Sequence, residues 1–174
     1  MARLLLGLLL ISGVAHAATP RLWQVLSQTQ HVAPIAVMKD IEQRFPGIIS
    51  EFNAELEDGV LIYELAIINP KDHNITELEV RGRDGVLLRH NTEKLEADDA
   101  NELQAALKIL QHKQSFSELV TQAMQQHQSF LAEAQLDRDL GINYLELKLL
   151  SADGNQKLAF DIDQQKPLPL LTWD

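Results

Sequence analysis

The chain has 174 residues, with 15 lysines and arginines against 25 aspartates and glutamates, so its formal net charge at pH 7 is −10. This sign argues against nucleic acid and anionic lipid surfaces as partners and favours basic proteins or cations. The sequence contains no cysteine, so we expect neither a disulfide framework nor a lipid-bearing cysteine.

The N-terminus has the pattern of a secretory signal peptide. Arg3 precedes an uncharged apolar run that ends near Val14, and the small-residue pattern Ala15-His16-Ala17 follows. We expect cleavage after about Ala17 and a periplasmic or secreted protein that is not a lipoprotein. The apolar run is shorter than the roughly 20 residues of a membrane-spanning helix, so no stable membrane insertion is expected.

The next segment predicts a helical hairpin. Thr19-Pro20 is typical of a helix start, and apolar residues recur at helical spacing after it. A second amphipathic pattern runs from Pro34 to Phe45, with polar residues on its other side. The step Pro46-Gly47 then ends the helix.

An antiparallel meander is predicted between residues 48 and 89. Polar and apolar residues alternate over 48–57, and Asp58-Gly59 is typical of a hairpin turn. Two further strands lie within 60–81 with a polar loop between them. Asp84-Gly85 then precedes a short fourth strand.

The second half repeats this order at an offset of about 80 residues. Two helical patterns lie between Asp98 and Met124, where Ser115 and Glu118 predict a capping box, and strand patterns follow from Phe130. The corresponding pairs are Tyr63 with Tyr144, Leu78 with Leu158, Val80 with Phe160, and Leu88 with Leu168. We therefore predict an α+β protein of two repeated lobes, 18–92 and 93–174. Each lobe is a helical hairpin followed by a sheet of three or four antiparallel strands.

The first half resembles the PepSY domain family. In that family a helix ends in a proline-glycine step, a Tyr-Glu strand follows, and an Asp-Gly turn precedes the last short strand. The matching positions here are Glu42, Phe45, Pro46, Gly47, Asp58, Gly59, Tyr63, Glu64, Asp84 and Gly85. The second half departs from the pattern, because it lacks the proline-glycine step near 127–129 and has Gln-Gln-Lys-Pro at 164–167 in place of the last turn.

The resemblance implies an exported, non-catalytic module that holds or inhibits a peptidase, or that senses envelope conditions. The tandem helix-plus-sheet plan is also similar to that of the beta-lactamase inhibitory protein, which grips an enzyme with a concave face. This second likeness concerns architecture only, and a fold does not determine a function.

No catalytic or metal-binding motif is recognisable in the sequence. The motifs G-x-S-x-G, H-E-x-x-H and the Walker type are absent, and no nucleophile can be matched to a base. The histidines after the signal segment are scattered, without the spacing of three or four that a helical metal site prefers. We therefore predict no enzyme activity, no metal site and no cofactor.

An acidic stripe is the candidate binding site. Alternation places Glu51, Asn53, Glu55 and Glu57 on one side of a strand, and aspartates partly repeat the stripe in the second half. A solvated face of an antiparallel sheet would look the same. The candidate partner-binding residues are Glu51, Asn53, Glu55, Glu57, Asp58, Asp137, Asp139 and Trp173.

These features favour a non-catalytic module that binds or modulates another envelope protein, such as a peptidase. The alternative is a periplasmic sensor of cations or small ligands that uses acidic clusters, one of which spans residues 93–102 at a predicted helix start. The identity of the partner, the oligomeric state and the continuity of the two sheets stay open at this point.

Overall fold

The structure, a computed structural model, describes residues 19–125 and 127–169. The predicted signal peptide with its cleavage point, and the candidate contact residue Trp173, lie outside the described residues. Within these two ranges, no helix is both long enough and apolar enough to cross a membrane.

Residues 19–125 and 127–169 contain four helices in two pairs, and the helix ends follow local signals in the sequence. They are α1 Thr19–Leu26, α2 Pro34–Arg44, α3 Ala100–His112 and α4 Phe116–Met124. Pro34 occupies the first turn of α2, where its missing N–H costs no helical hydrogen bond. Ser115 and Glu118 form the predicted capping box of α4.

The described part of the chain also contains eight strands, four after each pair of helices. They are β1 Ile48–Glu57, β2 Val60–Asn69, β3 Asn74–Arg81, β4 Leu87–Lys94, β5 Phe130–Asp139, β6 Ile142–Ser151, β7 Gly154–Asp161 and β8 Lys166–Leu168. All eight strands belong to one antiparallel sheet with the order β4-β3-β2-β1-β5-β6-β7-β8.

The prediction of two repeated lobes is wrong, because the chain forms one mainly β fold around a single sheet. The two runs of strands join where β1 pairs with β5 over three residue pairs, centred on Phe52 and Ala134. The physical reason is that β1 and β5 would otherwise each be an open edge with unpaired backbone groups. Pairing them with each other satisfies those groups and removes the boundary between the lobes.

The symmetry of this sheet explains how a repeat in sequence becomes one domain. β1 begins at residue 48 and β5 at residue 130, a shift of 82 residues. At that shift Phe52 corresponds to Ala134, its own pairing partner. An approximate two-fold axis therefore passes through this pair, and the strand order runs outward from it in both directions.

The predicted equivalence of Tyr63 and Tyr144 is wrong by one residue. Tyr63 pairs with Ala54 and is fully buried, whereas Tyr144 pairs with Asp137 and points to the other face of the sheet. The shift is 82 residues between β2 and β6 but 80 between β3 and β7. The loop after β2 is longer by two residues than the turn after β6, which accounts for the change.

One hydrophobic core joins the helices to one face of the sheet. Phe52 of β1 and its cross-strand neighbour Leu65 are buried on this face. Helix α2 contributes Val37, Met38 and Ile41 to the core, and α4 contributes Phe116, Leu119 and Val120. Burying each large apolar side chain stabilises the fold by roughly 1.5 to 3 kcal/mol before entropic costs.

The Pro46-Gly47 step is needed where α2 turns into β1. Gly47 has φ of +125°, and a Cβ atom there would lie 2.6 Å from the carbonyl oxygen of Ile68. Any side chain would therefore be strained by both its backbone angle and this close approach.

Candidate functional site

The face of the sheet opposite the core carries polar side chains in cross-strand rows, and we call it the polar face. Strand alternation places Glu51, Asn53, Glu55 and Glu57 of β1 on it, between the core residues of the same strand. One row crosses seven strands through successive register partners. It reads Arg89, Glu79, Glu64, Asn53, Glu133, Lys148 and Lys157.

Both ends of this row are balanced by cations. In the first half, the guanidinium of Arg89 lies 2.8 Å from the carboxylate of Glu79. In the second half, Lys148 pairs with Glu133. Because these ion pairs are exposed, each contributes little to stability, but each neutralises one carboxylate.

On strands β1, β2 and β3, several carboxylates of the polar face have no such partner among the described residues. Among the ion pairs formed by the described residues, none involves the carboxylates of Glu51, Glu55, Glu57, Glu64 and Glu77. The Glu64 carboxylate accepts a hydrogen bond of 3.1 Å from the amide of Asn53, which is neutral. The polar face over β1, β2 and β3 therefore concentrates negative charge.

A shallow depression lies in this acidic region. It forms where Ala66, whose side chain is small, stands between Glu51 on β1 and Glu77 on β3. Its volume is about 190 Å³. The polar residues that line it are Glu51, Asn53, Glu64, Glu77, Glu79 and Arg89.

Burial and, after it, neighbouring carboxylates raise the pKa of two groups on the polar face, Glu51 and Glu55. The pKa of Glu51 is raised above its usual value first by burial at the centre of the sheet and then by the charge of Glu102 on α3. Neighbouring Glu64, Glu133 and Glu77 add to the effect. The pKa of Glu55 is raised by partial burial and by Glu64 and Glu57. A cation entering this region would relieve the repulsion.

Three carboxylates come close enough to share a cation. One oxygen from each of Glu55, Glu57 and Glu64 lies within 4.8 Å of the other two. In the part of the chain that the structure describes, no other histidine or acidic side chains gather in this way. The acidic segment 93–102 that the sequence singled out does not form such a cluster.

The predicted site residues divide into three groups. Glu51, Asn53, Glu55 and Glu57 share the polar face, with the first two at the depression. Asp58 lies in the β1–β2 turn, and Asp139 at the end of β5 accepts a hydrogen bond from the backbone of Leu140. Asp137 is on the polar face, where its carboxylate accepts a hydrogen bond of 2.8 Å from the Tyr144 hydroxyl.

Sequence reasoning missed the part of the site that other strands contribute. Glu64 on β2, Glu77 and Glu79 on β3, and Arg89 on β4 complete the lining of the depression. Each glutamate alternates with buried apolar residues in its own strand, as in Glu77-Leu78-Glu79-Val80. That alternation was visible, but the register that brings the strands together was not.

The fold and the polar face together define a mainly antiparallel-sheet protein with an acidic face. No family model matches the sequence. No curated protein matches it either. A crystal structure of a protein from Clostridium difficile 630, provisionally described as a lipoprotein, is similar at a TM-score of 0.47 and 14% identity. The likeness covers 83% of this chain and 95% of that chain, and at this level it supports no functional argument.

The expectation of a periplasmic or secreted protein that is not a lipoprotein is contradicted by this comparison, because the similar protein is described as a lipoprotein. The localisation is therefore withdrawn. The proposed function depends on the polar face and not on the localisation of the protein.

Proposed function

We propose that this protein is a non-catalytic module that binds a basic segment of another protein through the polar face of its sheet. The observation that supports it is the depression of about 190 Å³ over β1 to β4 of that face, whose lining includes the carboxylates of Glu51, Glu64 and Glu77, which form no ion pair with the described residues. A lysine or arginine side chain has the charge to occupy it and the narrow shape to enter it. The resemblance to the PepSY family makes a peptidase a suitable first partner to look for.

The mode of recognition follows from the geometry of the face. An antiparallel sheet presents its side chains in rows, so an extended partner segment can align several basic residues with several carboxylates at once. Charge complementarity of this kind accelerates association and excludes acidic partners. It also makes binding sensitive to salt, because most of these carboxylates are accessible to solvent.

The test is a comparison of charge-neutral variants in partner capture. The double variant E64Q/E77Q removes two charges beside the depression and keeps the shape of both side chains. Its matched control, E96Q/D153N, removes two exposed charges away from the polar face. Proteins captured from whole-cell extract by each form are identified by mass spectrometry, and the strongest candidate is purified for affinity measurement.

We expect the parent and the control to bind the purified partner alike, and E64Q/E77Q to bind on the order of tenfold more weakly. The difference between the parent and E64Q/E77Q should shrink as salt concentration rises. Equal affinities for all three forms, at low salt and with unchanged folding by circular dichroism, would refute the proposed function.

A second candidate function is cation binding, which the convergence of Glu55, Glu57 and Glu64 favours. Calcium and magnesium prefer oxygen ligands, and these carboxylates supply only oxygen. A cation that binds the native state alone must raise the melting temperature. We expect a rise with calcium that E57Q abolishes; an unchanged melting temperature in calcium, magnesium and zinc would exclude this function.

A further inference from the structure

The two edge strands of the sheet, β8 and β4, differ in length and in the backbone groups that they leave unpaired. β8 has only three residues and contains Pro167, which has no backbone N–H to donate. β4 has eight residues without a proline, and among the described residues it pairs with β3 alone. β4 therefore leaves a row of backbone groups open, which is a template for another strand.

The side chains of β4 restrict which strand can join it. Arg89, Asn91 and Glu93 lie on the polar face, opposite Glu79, Glu77 and Ile75 of β3. Arg89 is the most exposed of the ion-paired side chains, at 64%. A strand that paired with this edge would have to place an acid opposite Arg89 and a base opposite Glu93.

A second copy of β4 meets this requirement. Two antiparallel strands related by a two-fold axis normal to their sheet place residues of the same face opposite one another. With the axis at Asn91, Arg89 of each copy faces Glu93 of the other, so two opposite-charge pairs form. With the axis at Arg89 or at Glu93, like charges would face each other.

We propose that this protein forms a homodimer by antiparallel pairing of β4 with β4 of a second copy, in the register centred on Asn91. The pairing extends the sheet across both copies and makes their polar faces one continuous surface. Registers that place two Arg89 side chains or two Glu93 side chains opposite each other are disfavoured by repulsion. The charges therefore favour one register of the β4–β4 pair over its neighbours.

The test is the molecular mass of the full chain in solution, measured by light scattering during gel filtration over a range of micromolar concentrations. The expected mass is twice the 19.6 kDa of the single chain. R89E alone sets two glutamates opposite each other at both ends of the register, and E93R alone sets two arginines opposite each other. Each should weaken the dimer by about tenfold or more.

Mixing the two variants distinguishes edge pairing from a folding defect. R89E and E93R complement each other across the axis, so an equimolar mixture should form the dimer that neither forms alone. E79Q is the control for the ion pair within one chain, because it removes the Glu79 partner of Arg89 and leaves the edge charges in place; it should stay dimeric.

A parent protein that is monomeric throughout this concentration range would overturn the proposal. So would a dimer that survives both single changes, since it would then use another surface. These outcomes are measured as molecular mass and not as partner capture, and the capture variants at Glu64 and Glu77 leave β4 unchanged. Failure of the dimer can therefore be distinguished from failure of the proposed binding function.

Discussion

At the scale of single residues, the β1–β2 turn and the β5–β6 turn differ in how readily their residues adopt the backbone conformation of the turn. Asp58 and Leu140 occupy the same position, 82 residues apart, and both have φ of +49°. Aspartate tolerates this left-handed conformation, whereas leucine is disfavoured there. Leu140 is also 92% exposed, so core burial does not offset its strain.

We predict that L140N raises the free energy of unfolding by about 0.5 to 1 kcal/mol, because asparagine adopts the left-handed conformation more readily. Thermal denaturation followed by circular dichroism measures the effect. D58L places leucine in the equivalent turn and should lower stability by a similar amount. A loss of stability in L140N would show that Leu140 makes a contact that its exposure conceals.

A second feature at the residue scale is the contact between His31 and Tyr63. His31 lies in the α1–α2 loop, where it is partly buried against Tyr63. The Tyr63 hydroxyl donates a hydrogen bond of 2.8 Å to the carbonyl of Val32 and lies 3.1 Å from Nδ1 of His31. Burial raises the pKa of Tyr63. The tyrosine therefore ties the loop between α1 and α2 to the sheet.

At the scale of elements, helices α2 and α4 are joined by one carboxylate. Glu42 on α2 accepts hydrogen bonds from the backbone N–H of Ser117, at 2.9 Å, and from its hydroxyl, at 2.6 Å. Ser117 lies in the first turn of α4, where N–H groups lack helical partners and a negative charge is favourable. This contact links the helix pair of one half to that of the other.

We predict that E42A lowers the free energy of unfolding by about 2 kcal/mol, because it removes two hydrogen bonds to a charged group and leaves Ser117 partly unpaired. Urea denaturation measures the loss. E118A is the control, since it removes only the capping-box contact to Ser115 and should cost about 1 kcal/mol or less. The importance of Glu42 would be refuted if E42A cost no more than E118A.

At the scale of the whole molecule, the central strands β1 and β5 couple the two halves. Phe52 is fully buried at the pairing point, next to Ala134. The core that surrounds it includes residues from both runs of strands and from α2, α3 and α4. Neither half can lose its structure without exposing apolar surface and backbone groups of the other.

We therefore predict one cooperative unfolding transition, with equal calorimetric and van't Hoff enthalpies. F52A should lower the stability of the whole chain by about 3 to 5 kcal/mol through the cavity it leaves. L158A, in strand β7 where the side chain is only partly buried, is a milder control. Two separate transitions in scanning calorimetry, with F52A shifting only one, would mean that the halves unfold independently.

Local patterns in the sequence predicted most of the elements but not their assembly. The amphipathic spacing of Ile35, Met38 and Ile41 identified α2, and Asp58-Gly59 identified the turn between β1 and β2. The acidic alternation from Glu51 to Glu57 was also visible along one strand. These signals depend on neighbours within a few residues, so the order of residues suffices to find them.

By itself, the sequence determined the secondary structure, the repeated order of helices and strands, and the acidic character of β1. The pairing of β1 with β5, the depression around Ala66 and the open edge at β4 were decided only by the tertiary structure. The reason is that each depends on residues far apart in the chain. Two strand edges pair when their backbone N–H and C=O groups have no other hydrogen-bond partner. Which groups these are depends on the whole fold, so a local sequence pattern does not predict the pairing.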